Sequence, residues 1–127
     1  MKTILVDAIG TFVLGGEGIY KPLRDLLETY PNQKIILTNA NDEEMIKFGL
    51  TEMPYEVFTL KHNPDKLDPA YFKTMLAHYA LNPDDVVYFE HNPEAVKSAE
   101  SIGIVSHHYD AEKKDLVALK EFLNENL

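Results

Sequence analysis

Residues 4–12 read Ile4-Leu5-Val6-Asp7-Ala8-Ile9-Gly10-Thr11-Phe12. Three β-favouring apolar side chains run into one carboxylate, and the chain then turns at Gly10-Thr11. A carboxylate closing a buried strand is costly unless it has a partner or a task. Further short apolar runs recur at Ile35-Ile36-Leu37, Val57-Phe58, Val86-Val87-Tyr88-Phe89 and Ile104-Val105. They do not alternate with polar residues, as expected of strands covered on both faces. Between them the spacing predicts helices. Leu23, Leu26, Leu27 and Tyr30 lie at helical intervals between Pro22 and Pro31. An acidic first turn follows Asn41 and closes at Gly49. Asp68-Pro69 and Asn92-Pro93 each pair a cap residue with a first-turn proline, and Gly103 stops the second of these helices. A last helix is expected from about Lys113 to Asn124. Strand and helix alternate throughout, which predicts an α/β fold: a three-layer, Rossmann-like domain of about five parallel strands with helices on both faces and right-handed crossovers.

The chain has 127 residues, enough for one domain over 1–127 and too few for two ordinary ones. Hydrophobic residues make up 45% and charged residues 26%, which is ordinary for a globular protein and argues against intrinsic disorder. A net charge of -9 argues against general binding to nucleic acid or to anionic membranes, since both would repel the surface. Without cysteine there is no disulfide framework, zinc ribbon or thiol nucleophile. No apolar run approaches the roughly 20 residues of a membrane span, and Asp7 interrupts the N-terminal apolar stretch, so a cytoplasmic protein is expected.

In an open parallel sheet, ligands lie beyond the carboxyl ends of the strands. The residues at those ends are Asp7, Thr38 and the pair Glu90-His91, and Lys66 precedes the third long helix. A carboxylate able to attack, with a hydroxyl and an ammonium to hold transferring oxygens, suits phosphoryl chemistry.

Four segments in order resemble the motifs of the haloacid dehalogenase (HAD) superfamily, over nearly the whole chain. Asp7-Ala8-Ile9-Gly10-Thr11 is similar to its D-x-D-G-T; Thr38 in ILTNA, to the hydroxyl closing strand two. Lys66-Leu67-Asp68-Pro69-Ala70-Tyr71-Phe72 is similar to its lysine before a D-P-x-x-F helix start, and FEHNPEAVKSAESIGI to its acidic fourth motif. The resemblance implies a HAD core and a phosphohydrolase working through an aspartyl-phosphate with Mg2+. It makes Asp7, Thr38 and Lys66 the catalytic set, with Asp7 as nucleophile, and puts phosphate at Thr38, Asn39 and Lys66. It bounds the metal by Asp7, Ile9, Glu90 and His91.

Two departures stand out. The second aspartate of the first motif, which moves protons in the family, is Ile9, and its loss costs typically about 10²- to 10⁴-fold. A histidine, His91, stands where the family has a second acid, and neutral imidazole is a poor magnesium ligand. Impaired turnover is therefore expected, with a non-catalytic protein that keeps a phosphate- or partner-binding crevice as the alternative. No substantial cap fits between Asp7 and Tyr20, only a β-hairpin flap with Gly15-Gly16 at its tip. The expected ligand is a phosphorylated substrate or phosphate, and a protein partner is a candidate cover for the open site. A phosphorelay receiver domain also combines Asp, Thr and Lys, but it places its acceptor on a later strand. Asn39 and Asn41 also read as turn and cap residues. His62 and His78 read as surface residues, and His107-His108 point to opposite faces of a strand.

Overall fold

The computed structural model describes residues 1–127. Five parallel strands, β1 (Thr3–Asp7), β2 (Lys34–Thr38), β3 (Glu56–Thr59), β4 (Val86–Glu90) and β5 (Val105–His108), lie in the order β3-β2-β1-β4-β5. Five helices alternate with them: α1 (Lys21–Glu28), α2 (Asp42–Lys47), α3 (Pro69–His78), α4 (Pro93–Glu100) and α5 (Leu116–Asn126). Every strand pairing is parallel, and β1 is hydrogen-bonded on both sides, to β2 and to β4.

All five residues of β1 are buried because both faces are covered. Ile4 and Val6 pack with Leu23 and Leu27 of α1 and with Leu119 and Leu123 of α5. Leu5, one place out of phase, packs with Tyr71, Phe72 and Met75 of α3 and Ala99 of α4. This period of two splits the apolar residues into two cores, one on each side of the sheet. No cap domain is inserted between the elements of residues 1–127, and no helix among them is long and apolar enough to cross a membrane.

The cap residues expected for α2, α3 and α4 are those observed. Asn41 and Glu44 form a reciprocal capping box on α2, and Asp68 and Asn92 cap α3 and α4 through their side chains. Three details differ from the sequence-based expectation. Helix α5 begins at Leu116, capped by Asp115, because Asp110 draws the N–H groups of Glu112 and Lys113 into a turn and Lys114 takes a left-handed conformation. Strand β5 starts at Val105 and runs on to His108, leaving buried Ile104 as the connection from α4. The flap is not a hairpin ladder. It has only isolated bridges, Ile9 with Val13 and Val13 with Ile19, around a 3-10 turn at Gly15–Glu17. Phe12 and Val13 drop into the core instead of pairing along a ladder, so burial of these side chains sets the path.

Candidate active site

Parallel pairing brings the ends of β1, β2 and β4 to one edge. The chain winds from β1 to one side through β2 and β3, then returns to the other side through β4 and β5, so the strand order reverses between β1 and β4. Asp7, Thr38 and Glu90 are the last residues of the three central strands, and all three are buried. Lys66, in the loop between β3 and α3, reaches inward and is also buried. Its backbone N–H donates to Asn39 Oδ1 at 2.8 Å, so Asn39 fixes the loop that carries the ammonium. A cleft of about 290 Å³ opens over these groups and includes Ile9, Asn39 and His91 in its walls. Every residue expected at the site from the sequence therefore lines one cleft.

The charged groups are interlocked. Lys66 Nζ donates to Asp7 Oδ1 at 2.7 Å, to Glu90 Oε1 at 2.8 Å and to the Leu37 carbonyl at 3.3 Å. Asp7 Oδ2 accepts from Thr11 Oγ1 at 2.6 Å and from His91 Nδ1 at 2.5 Å, with the His91 backbone N–H at 3.3 Å. Glu90 Oε1 also accepts from Tyr88, whose hydroxyl lies on the same strand face two residues earlier, and Oε2 accepts from the Asn92 N–H at 3.0 Å. Thr38 Oγ1 accepts the Ala40 N–H at 3.2 Å, which leaves its own proton to donate. Tyr71 of α3 places its hydroxyl 2.9 Å from the Thr38 carbonyl and 3.1 Å from that of Phe58, tying the ends of β2 and β3 together.

Burial pushes the Asp7 carboxyl up, yet Lys66, then the hydrogen bond from His91, hold it far below the ordinary carboxylate range. Lys66 shows the converse. Burial disfavours its charge, but the Asp7 and Glu90 carboxylates outweigh that and raise it above its usual value. His91 is pushed up to about 10, first by its hydrogen bond to Asp7 and next by that to Glu90. Tyr88 rises well above a normal phenol through burial and the neighbouring carboxylates, so it stays a hydrogen-bond donor.

Asp7, Glu90 and His91 present ligand-type atoms within 4.8 Å of one another, close enough to share an ion. Their arrangement does not fit magnesium. That ion takes hard oxygen ligands in near-ideal octahedra. Here the position between the carboxylates is filled by His91 Nδ1, 2.5 Å from Asp7 Oδ2 and 3.2 Å from Glu90 Oε2. Both neighbours are acceptors, so Nδ1 carries a proton and offers no lone pair.

Some site residues escape a reading of the strand ends. Thr11 stands inside the first motif but does not end a strand. Tyr88 could have been found from its two-residue offset to Glu90. His62 looks like a surface residue and its side chain is 44% exposed, but with Glu44 and Asp65 it forms the rim of the cleft, its Nε2 lying 2.7 Å from Glu44 Oε1. No sequence signal marks that pairing. His78 is exposed beside Phe58 and Tyr79, as expected. His107 stacks on Phe122 while His108 Nε2 meets the His91 carbonyl at 2.9 Å, so the two do point apart.

No family model and no curated protein matches the sequence. Solved structures match along nearly the whole chain. An uncharacterized protein from Corynebacterium glutamicum superposes with a TM-score of 0.67 at 19% identity, covering 98% of this chain and 96% of that one. A HAD-superfamily hydrolase of subfamily IA from Geobacter sulfurreducens gives 0.67 at 12% identity, covering 94% and 99%. A HAD family enzyme from Bacteroides thetaiotaomicron, crystallised with magnesium and inorganic phosphate, gives 0.66 at 14% identity, covering 87% and 95%. The chain has the fold of the HAD-like hydrolases, with no cap domain inserted within residues 1–127.

Proposed function

We propose that this chain is a phosphohydrolase of the aspartyl-phosphate type with slow turnover, restricted to phosphoryl donors whose leaving groups depart without a proton. The observation that carries the reading is the convergence of Asp7, Thr38 and Lys66 in one cleft, with the ammonium 2.7 Å from the carboxylate. Asp7 Oδ2 already accepts two short hydrogen bonds, whereas Oδ1 accepts only that from Lys66. Oδ1 therefore has the lone pair for attack. It forms a bond to phosphorus as the bond to the leaving oxygen breaks, and the leaving group takes the electron pair. Lys66 offsets the charge gathered there, and the Thr38 hydroxyl donates to a non-bridging oxygen. Ile9 lines the same cleft but can neither protonate a poor leaving group nor deprotonate water in the second half-reaction.

The test is incubation with an aryl phosphate and with acetyl phosphate, read by intact mass and by released product. A phosphoryl adduct that persists, and is missing in Asp7→Asn, is expected. Ile9→Asp should raise turnover by about 10²-fold or more. No adduct, together with aryl phosphate hydrolysis that Asp7→Asn leaves unchanged, would overturn the reading. The interlocking of Asp7 with Lys66, Thr11 and His91 favours a second reading, a non-catalytic protein that keeps the crevice to bind phosphate or a partner. That one predicts phosphate binding without an adduct.

A further inference from the structure

The neighbour from Bacteroides thetaiotaomicron holds magnesium together with phosphate. In this chain two carboxylates, Asp7 and Glu90, face one ammonium, Lys66, and the ring of His91 lies against both.

That ring is held from several sides. Nδ1 contacts Asp7 Oδ2 and Glu90 Oε2, with Thr11 Oγ1 at 3.3 Å. The His91 backbone is pinned at both ends, its N–H toward Asp7 Oδ2 at 3.3 Å and its carbonyl accepting from His108 Nε2 at 2.9 Å. Gly10 supplies the remaining wall. Its φ of 93° is open to glycine, and a Cβ there would sit 2.9 Å from His91 Cε1, so the ring occupies space that any other residue would fill. A glycine, a hydroxyl, a strand-end histidine and two carboxylates thus form a seat shaped to an imidazole.

We infer that His91 excludes Mg2+ from this site, its N–H donor standing between Asp7 and Glu90 where the bound ion would need open oxygen ligands. This deepens the reading proposed above and rests on it for one corollary: phosphate is taken up without a metal. Nε2 makes no hydrogen bond within the protein, and the ring lines the cleft with 38% of its side chain exposed. It can therefore meet a non-bridging oxygen directly. An ion forced into the present arrangement would meet an N–H and an ammonium at hydrogen-bond distance from its only two carboxylates, so Coulomb repulsion opposes it.

Calorimetric titration of Mg2+ into the unmodified protein decides the matter, with titration into His91→Asp beside it. No uptake is expected in the parent at millimolar Mg2+. His91→Asp, which would set three carboxylates together, should bind at least about tenfold more tightly, because hard oxygen ligands are then available. Mg2+ binding by the parent with an affinity equal to that of His91→Asp, or at micromolar concentration if that variant does not fold, would overturn the inference. A parallel titration with inorganic phosphate, with and without a chelator, bears on the function. Equal binding in both supports metal-free uptake, and phosphate binding only in the presence of Mg2+ refutes it. Absence of phosphate binding altogether sinks the phosphoryl reading while the Mg2+ titration still decides the role of His91.

Discussion

Replacing Lys66 by methionine keeps an unbranched side chain, one heavy atom shorter, and removes its charge and its donors. Lys66 Nζ donates to two buried carboxylates at 2.7 and 2.8 Å and to one carbonyl at 3.3 Å. Removing one partner from a buried ion cluster leaves charge without compensation and costs about 3–5 kcal/mol. His91 still contacts both carboxylates in the variant, which places the expectation at the lower end, about 3–4 kcal/mol. For a chain of this length that lowers the melting temperature by about 10–15 °C. Urea denaturation at neutral pH measures it. The same comparison near pH 4 sharpens it. Lys66 is the main group holding Asp7 below the ordinary range, and burial alone would raise it. In the variant Asp7 therefore takes up a proton as the pH falls, and the gap to the parent narrows. Equal stability of parent and variant at neutral pH, or a gap that does not change with pH, would refute the idea that buried charge compensation holds this edge of the sheet together.

Two further predictions concern the seat of His91. Gly10→Ala combines a φ of 93° with a contact of 2.9 Å to His91 Cε1, and should cost about 1–3 kcal/mol in thermal unfolding. Gly16→Ala, with nothing within 4 Å, should stay within about 0.5 kcal/mol of the parent. His91 is raised from 6.5 to about 10, so the protonated ring contributes stability in full below about 6.5, and that contribution is lost as the pH rises through about 10. With over a third of the side chain exposed, the loss should be about 1–2 kcal/mol and should vanish in His91→Gln, as followed by denaturation at several alkaline pH values.

Much of the architecture was legible because its determinants are local. Non-alternating runs such as Val86–Phe89 mark strands covered on both sides, and Asn41, Asp68 and Asn92 announce helix starts in their own side-chain chemistry. The parallel sheet then gathers Asp7, Thr38 and Glu90 without further information, since each simply ends its strand. What escaped depends on conformations or contacts that residue type does not encode. Lys114 takes a left-handed conformation few would assign to lysine, and this delays α5. Phe12 and Val13 were free to pair in a flap or to fill the core, and the core took them. His91 could be named as a departure from the sequence. Its insertion between two carboxylates depends on the space left by Gly10 and on the carbonyl contact from His108, neither of which is visible along the chain.

The hydrogen bonds that define the site span great lengths of chain. Lys66 meets Asp7 across 59 positions, and His91 meets it across 84. The pairing of β1 with β4 spans as great a length, and side-chain contacts at its end can close only once those strands have met, so the cluster is expected to form late. The charged cluster thus acts as a latch, closed last and opened first. Loss of Lys66 should leave the folding rate nearly unchanged and fall on the unfolding arm of the kinetics, so that the site sets how long the folded state survives.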